Sequence, residues 1–443
     1  MVTRRDFVKR TGLISTGLAV GGVATSAKSY KNIPGANDRI RVGIIGLGRR
    51  LGAFTEPISK KENNVELLYL CDVMPSQLEK AAKRFSEGID YKPKMENDLR
   101  KMLEDKKLDA VINAAPDHWH GPGSVLAMQA GKHVYVEKPV SHNMEENRLL
   151  VKAAKKYDRV VQAGTQQRSS LHTIEAINMI HDGAIGKTYK AVAFYTNRRG
   201  KVPIQKPAPI PGGLDWDLFQ GPAPRREYTE ETWNYNWHWY GWTYGTAEAG
   251  NNGTHEMDVA RWALQVDYPK HVFVDGHKGQ FPDDGWEMYD HIEATFRFKG
   301  NKTIVWDGRS RNGYDTYGNG RGVIVYGSEG SAFMNRGVSV IYDRRGDVVK
   351  ELASDSTEAG TALGGGGSMS TRHVENFFET IRGNEKLRAP IDEIAISHAM
   401  VHLTNVAYRI NEPFEVGDSG MMLNRKAMKL WSRDYEPGWE VKL

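Results

Sequence analysis

The 443-residue sequence predicts an α/β protein in two parts. A doubly wound parallel sheet comes first, and a second sheet, mostly antiparallel, follows it. Three observations carry this expectation. A chain of 49.7 kDa exceeds what one hydrophobic core usually organises. Residues 40–163 alternate short apolar runs with stretches of helical spacing, the texture of strands joined by crossover helices. From about residue 191 the strand-like stretches follow one another without long helices between them. With 40% hydrophobic and 26% charged residues, the composition is that of a folded globular chain and not a disordered one.

In chain order, residues 1–35 read as an address and a linker. The run Thr3-Arg4-Arg5-Asp6-Phe7-Val8-Lys9 resembles the twin-arginine export signal, with paired arginines and a bulky apolar residue two places later. A glycine-diluted apolar stretch over 12–24 follows, then a small-residue cleavage site at Thr25-Ser26-Ala27 and a linker at Ile33-Pro34-Gly35. The expectation is a protein folded in the cytoplasm and exported to the periplasm, a route consistent with the absence of disulfides. Strands are expected over 40–45, 65–70, 110–114, 134–136 and 160–163, with helices such as 75–85 and 123–130 between them. They form a first domain over 36–165. A second domain, 166–443, is expected to hold strands over 189–195, 271–276, 292–298, 303–307, 322–326 and 338–342, then helices over 371–382 and 391–409. Between these lies 354–370, a flexible loop or active-site flap containing Gly364-Gly365-Gly366-Gly367.

Charge and cysteine content exclude several function classes. The formal net charge of +5 owes much to Arg4, Arg5, Lys9 and Arg10. What remains lacks the clustered basic footprint of a nucleic-acid binder. No 18-residue apolar run free of polar residues exists, so no bilayer span is implied. A single cysteine, Cys71, leaves no internal disulfide and no cysteine-built metal site. His255-Glu256-Met257-Asp258 lacks the second histidine of a zincin, and no metal is expected.

The first expected strand runs into Gly46-Leu47-Gly48-Arg49-Arg50-Leu51-Gly52. Glycine at 46 permits a tight turn, and glycine at 48 lets the backbone approach a pyrophosphate at a helix N-terminus. The third glycine comes one place late, giving G-x-G-x-x-x-G. A second strand ends at Leu70-Cys71-Asp72, 26 residues after Gly46. An acid there accepts hydrogen bonds from both ribose hydroxyls and repels a 2′-phosphate. With no arginine beside it, Asp72 argues for NAD over NADP.

Three further stretches stand out: Ala115-Pro116-Asp117-His118-Trp119-His120, Ala130-Gly131-Lys132-His133-Val134-Tyr135-Val136-Glu137-Lys138-Pro139, and Gly250-Asn251-Asn252-Gly253-Thr254-His255-Glu256-Met257-Asp258. With the opening glycines they resemble the glucose–fructose oxidoreductase / inositol dehydrogenase / rhizopine-catabolism family, from about residue 40 to the C-terminus. That resemblance implies an NAD-binding Rossmann domain, and an α/β domain whose open sheet builds a homodimer or homotetramer. It implies cofactor contacts from Gly46, Gly48, Arg49, Asp72, Ala115, Pro116, His120, Glu137, Lys138 and Gln166. His120 is equally consistent with a structural role. Catalytic roles fall on Lys138, His255 and Asn251, and Arg168 is a substrate or cofactor contact.

Elementary chemistry makes sense of the catalytic set. Oxidising a secondary alcohol requires removal of the hydroxyl proton while hydride leaves carbon. The Lys138 ammonium polarises the oxygen and stabilises alkoxide-like charge. A neutral His255 imidazole takes the proton, kept neutral by the lysine's charge. Asn251 stands where many members carry aspartate, so it orients a substrate hydroxyl and does not titrate. Asp258, on the same helix face as His255, either orients the imidazole or caps structurally.

Residues 228–244 hold eight aromatics, Trp237, Trp239 and Tyr244 among them, where the chain average is 10%. Flat rings suit the C–H faces of a pyranose, and the position just before 250–255 makes this run a wall of the substrate pocket. No lysine or arginine interleaves it, which disfavours nucleic-acid stacking. The expected activity is NAD-dependent oxidation or reduction of a secondary hydroxyl of a sugar or glycoside. The alternative is a redox-neutral glycosidase that oxidises, eliminates, hydrates and re-reduces. The NAD-dependent α-N-acetylgalactosaminidases work in that way, but their Tyr-Pro-Thr-His motif is replaced here by Asn252-Gly253-Thr254-His255. A third reading, a non-catalytic sugar- or cofactor-binding protein, sits poorly with retention of Lys138 and His255 together.

Overall fold

The computed structural model describes residues 38–230, 232–353 and 367–443. The paired arginines, the apolar stretch and the linker lie outside the described residues, as do residues 354–366 of the glycine-rich loop.

The first sheet has six strands: β1 (Ile40–Ile45), β2 (Val65–Cys71), β3 (Lys94–Glu96), β4 (Ala110–Asn113), β5 (His133–Val136) and β6 (Val161–Ala163). Their order is β3-β2-β1-β4-β5-β6, with every pair parallel. Each expected strand forms within a residue of its predicted ends. The short edge strand β3 was not foreseen, because Lys94-Met95-Glu96 offers no apolar run. Parallel strands need covering on both faces, which is why these runs are apolar throughout and do not alternate. One face packs Val42 and Ile44 against Phe54, Phe85 and, from helix Ser368–Arg382, Phe377 and Phe378. The other packs Val111 and Val136 against Trp119, Leu150 and, from helix Ile391–Ile410, Ile391 and Ile394. The last two long helices thus return to finish the first sheet. Strand order reverses between β1 and β4, and that reversal opens a crevice at the carboxyl ends.

The second sheet contains β7 (Thr188–Thr196), β8 (His271–His277), β9 (His291–Arg297), β10 (Thr303–Arg309), β11 (Arg321–Gly327), β12 (Gly330–Met334), β13 (Val338–Asp343), β14 (Val348–Ala353) and β15 (Phe414–Glu415). The order is β14-β13-β12-β11-β7-β10-β9-β8-β15, antiparallel except for the β10–β7 pair. All six expected strands are present. The additional β12, β14 and β15 are built from small residues, an exposed edge with Lys350 and Glu351, and a two-residue pairing. Ile177, Met257, Ala260, Met400 and Leu403 pack from three helices onto Ala193, Ile304, Trp306 and Val325 of the sheet. Among the described residues no helix is long and apolar enough to cross a membrane.

Candidate active site

A cavity of about 610 Å³ opens at the carboxyl edge of the first sheet. Its wall includes Gly46, Gly48, Asp72, Ala115, Pro116, Glu137 and Gln166 as well as Lys138, Asn251 and His255, so the cofactor and catalytic sets meet in one space. At Gly46 the backbone has φ +82°, and a Cβ would stand 2.6 Å from the Ala114 carbonyl oxygen, so only glycine fits. Nothing lies within 4 Å of where a Cβ of Gly48 would be. Asp72 accepts the Leu47 N–H at 2.7 Å and the Met74 N–H at 2.9 Å, which fixes its carboxylate at the end of β2. Burial pushes that carboxyl up, against those two bonds. Arg49 lies over the Tyr235 ring at 4.1 Å. Arg50 donates from Nε to Glu137 Oε1 at 2.7 Å, and Gln166 Nε2 donates to the same oxygen at 2.9 Å. Burial opposes the Glu137 charge, but Arg50 and Lys138 hold its carboxyl below the usual range. A tight glycine turn, an open glycine, and an acid at the next strand end fit a dinucleotide.

Lys138 follows β5 and donates from Nζ to the Asn251 carbonyl oxygen at 2.5 Å, with Asn251 Oδ1 at 3.4 Å. Burial brings its ammonium down to about 8, while Glu137 and Asp117 support the charge. Asn251 therefore acts on the lysine chiefly through its backbone. It belongs to a π-helical turn, Ala249–Gly253, that leads straight into helix Thr254–Leu264. Such turns widen the backbone and recur at functional sites. His255 opens that helix, is 5% exposed, and its ring makes no hydrogen bond among the described residues. Burial, then Arg336, Lys138, Arg321 and Arg50, hold the imidazole well below its ordinary value, so it is neutral. The sequence reading anticipated the neutral ring but credited only Lys138. His120 Nδ1 donates to the Pro139 carbonyl at 2.6 Å, and its Nε2 is buried without a partner on the cavity wall.

Three expectations are corrected, for Arg168, Trp239 and Tyr244, and the choice left open at Asp258 falls to a structural role. Arg168 is not a substrate or cofactor contact: it is 4% exposed, and its Nε and Nη2 each reach Asp258 at 2.8 Å, with Nη1 on Glu393 at 3.1 Å. Asp258 is correspondingly spent on Arg168 and on Ser397 at 2.6 Å, so it does not orient His255. Trp239 stacks on Trp286 with centroids 4.2 Å apart, inside the core. Tyr244 is buried against His118, Phe219 and Trp216 and donates to Gln220 Oε1 at 3.1 Å. Neither ring lines the cavity; Trp237, Trp233 and Tyr235 do. Asn234, Asn236 and His238 alternate with the rings, so polar neighbours in sequence do not distinguish rings facing a pocket from rings filling a core.

Several cavity residues received no role from the sequence, some of them inside the quoted motifs. Asp117 accepts the Thr246 hydroxyl at 2.5 Å, and burial pushes its carboxyl up to about 7. Tyr195, Asn197 and Arg199 come from β7 and the turn after it, with Arg199 Nε on Glu248 Oε2 at 3.0 Å. Arg50 shares a dipeptide with Arg49, and only the fold shows which of the two reaches Glu137. Arg336 arrives from the β12–β13 turn, far from every motif. Among the described residues no group of three His, Cys, Asp or Glu side chains could hold a metal ion.

Comparison with known proteins agrees with this architecture. The family model for the oxidoreductase family's NAD-binding Rossmann fold matches residues 40–165, and that for its C-terminal alpha/beta domain matches residues 186–440. A glycosyl hydrolase family 109 protein from Shewanella sp. (strain ANA-3) is 27% identical over 211 residues, 44% of this chain and 46% of that protein. An alpha-N-acetylgalactosaminidase from Shewanella oneidensis is 26% identical over the same shares. The matches therefore span about half the length of these curated relatives. Among solved structures, the WlbA dehydrogenase from Bordetella pertussis, in complex with NADH and UDP-GlcNAcA, superposes with a TM-score of 0.62 at 17% identity, over 86% of this chain and 99% of that one. Levoglucosan dehydrogenase, in complex with NADH and L-sorbose, gives 0.64 at 17% identity over 86% and 99%. At such identity the superpositions speak for the fold alone. Matched across both of its sheets, the chain belongs to the Gfo/Idh/MocA oxidoreductase family and carries that family's NAD-binding Rossmann fold.

Proposed function

We propose that this protein oxidises or reduces a secondary hydroxyl of a sugar or glycoside, using NAD that it holds tightly. The observation carrying this reading is that Lys138 Nζ, fixed on Asn251, shares one cavity with the unbonded His255 imidazole and with the Gly46, Gly48 and Asp72 dinucleotide set. Bound NAD would supply hydride-accepting chemistry. The protein's own groups do the rest. Lys138 binds the substrate oxygen and stabilises charge on it as its proton leaves. His255, neutral and free of other bonds, accepts that proton. Trp237 and Tyr235 line the cavity and offer apolar surface to a ring. Asp72, with no arginine adjoining it, supports NAD over NADP.

The family 109 relatives favour a second reading on the same residues, a redox-neutral glycoside hydrolysis in which a ring carbon is oxidised and later restored. Both readings suit export by the twin-arginine route, since a cofactor acquired in the cytoplasm must then stay bound. Association of copies through the second sheet is supported by exposed Tyr189, Phe273 and Val348. The test is protein purified without added nucleotide and dialysed exhaustively. It should still carry near-stoichiometric NAD(H), and turn over a sugar pair or cleave a glycoside unaided. His255→Asn should lower that turnover by about two to four orders of magnitude. An empty protein that binds no sugar would overturn both readings and leave a non-catalytic scaffold.

A further inference from the structure

We propose that the sugar taken by this site bears an anionic group, a carboxylate or another oxyanion, and that Arg336 binds it. The inference rests on the sugar reading above and narrows its substrate.

Arg336 occupies the turn between β12 and β13, and that turn is fixed. Asn335 Oδ1 accepts the N–H groups of Gly337 and Val338, both at 2.8 Å, and the Asn335 N–H donates to the Val338 carbonyl at 2.9 Å. Asn335 Nδ2 donates to Asn319 Oδ1 at 3.0 Å, tying the turn to its neighbour. From this platform the Arg336 side chain reaches the cavity wall beside Lys138, Asn251 and His255.

Every other arginine on that wall is engaged: Arg49 on the Tyr235 ring, Arg50 on Glu137, Arg199 on Glu248. Arg336 is the exception. Among the described residues no acceptor bonds its guanidinium, and its Nε is buried with no partner at all. Glu256, the acid that acts on it most, makes no hydrogen bond to it: Oε1 takes Arg321 Nε and Nη2 at 2.7 and 2.6 Å, and Oε2 is buried without a partner. Burial, then Arg321, pull the guanidinium down to about 9 against the support of Glu256. A half-buried guanidinium that no acceptor bonds is costly, and proteins keep one where a ligand completes the pair. The cofactor is a poor candidate for that role. Its pyrophosphate belongs at the Gly46–Gly48 turn, where Arg49 and Arg50 already stand. A planar guanidinium fork facing a sugar pocket matches an oxyanion on the sugar itself.

The chemistry gains from this pairing. Arg336 is the strongest of the charges that oppose protonation of His255, ahead of Lys138, Arg321 and Arg50. An anion seated on Arg336 offsets the largest of them and makes the imidazole a better acceptor when substrate is present.

The experiment is titration of the NAD-loaded protein, by calorimetry or tryptophan fluorescence, with matched sugars. Methyl glucuronide, methyl galacturonide and the corresponding 6-phosphates are compared with the neutral methyl glucoside and galactoside. An anionic sugar should bind about tenfold to a hundredfold more tightly than its neutral partner. That ratio should collapse toward one in Arg336→Gln and recover in part in Arg336→Lys, with circular dichroism verifying each fold. Preference for a uronide identifies a carboxylate and preference for a 6-phosphate a phosphorylated sugar; either supports the proposal. Neutral sugars binding as well as charged ones, or a ratio that survives Arg336→Gln, would overturn it while leaving the sugar reading intact. Loss of NAD from Arg336→Gln would reassign the arginine to the cofactor. Binding of no sugar of either kind would refute this proposal and the reading beneath it.

Discussion

Raising the pH through 8 should switch the proposed chemistry off by discharging Lys138. An ordinary lysine titrates at 10.5, and burial brings this one down to about 8, a bias of about 3 kcal/mol against the ammonium. The charged form exists below that pH, and it is the charged form that stabilises a developing alkoxide. Hence kcat/KM should hold steady below 8 and fall about tenfold for each further pH unit. His255 adds no limb in this window, because its own transition lies far lower. Asp117, pushed up to about 7, is ionised across most of it and helps keep Lys138 charged. Asp117→Asn should therefore draw the alkaline limb down by about one pH unit. The assay is the initial rate at trace substrate with NAD saturating, followed across both transitions in the two proteins. A kcat/KM that climbs through pH 8 would make neutral Lys138 the proton acceptor and refute the assignment. A limb unmoved by Asp117→Asn would show that the carboxylate does not support the ammonium.

Two other consequences are open to direct measurement. Asp72→Ser should weaken NAD by about 1–3 kcal/mol through loss of a charged acceptor and relax discrimination against NADP, as read by calorimetry; equal affinity of the unmutated protein for both nucleotides would contradict the role given to Asp72. Arg168→Met leaves Asp258 buried without its bidentate partner and should destabilise the fold by about 3–5 kcal/mol in urea without raising KM. A raised KM at unchanged stability would restore Arg168 to the substrate.

Much of this architecture can be read in the chain because its signals are local. A largely apolar run such as Ile40 to Ile45, ending in Gly46, fixes both a buried strand and the tight glycine turn that follows it. Lys138 and His255 stand in motifs whose residues are consecutive, so spacing alone brings each near a strand or helix end. Arg168 and Asp258 misled for the opposite reason. Each sits beside a functional residue in sequence, yet the 90-residue separation hid that they face one another. Trp239 and Tyr244 share their composition with Trp237, and only packing against Trp286 and Phe219 separates wall from core. Arg336 looks like any polar residue in a hairpin turn. Its meaning lies in a guanidinium that no acceptor among the described residues bonds, which no linear pattern records.

The return of the last two long helices to the first sheet governs how this molecule comes into being. Phe377, Phe378, Ile391 and Ile394, which close both faces of strands β1 to β6, are made about 200 residues after β6. Until then the nucleotide-binding sheet has apolar surface open to water and lacks a finished core. A finished nucleotide-binding sheet therefore requires the helices that follow the second sheet. A fragment ending before residue 368 would leave apolar surface of both faces uncovered and should aggregate.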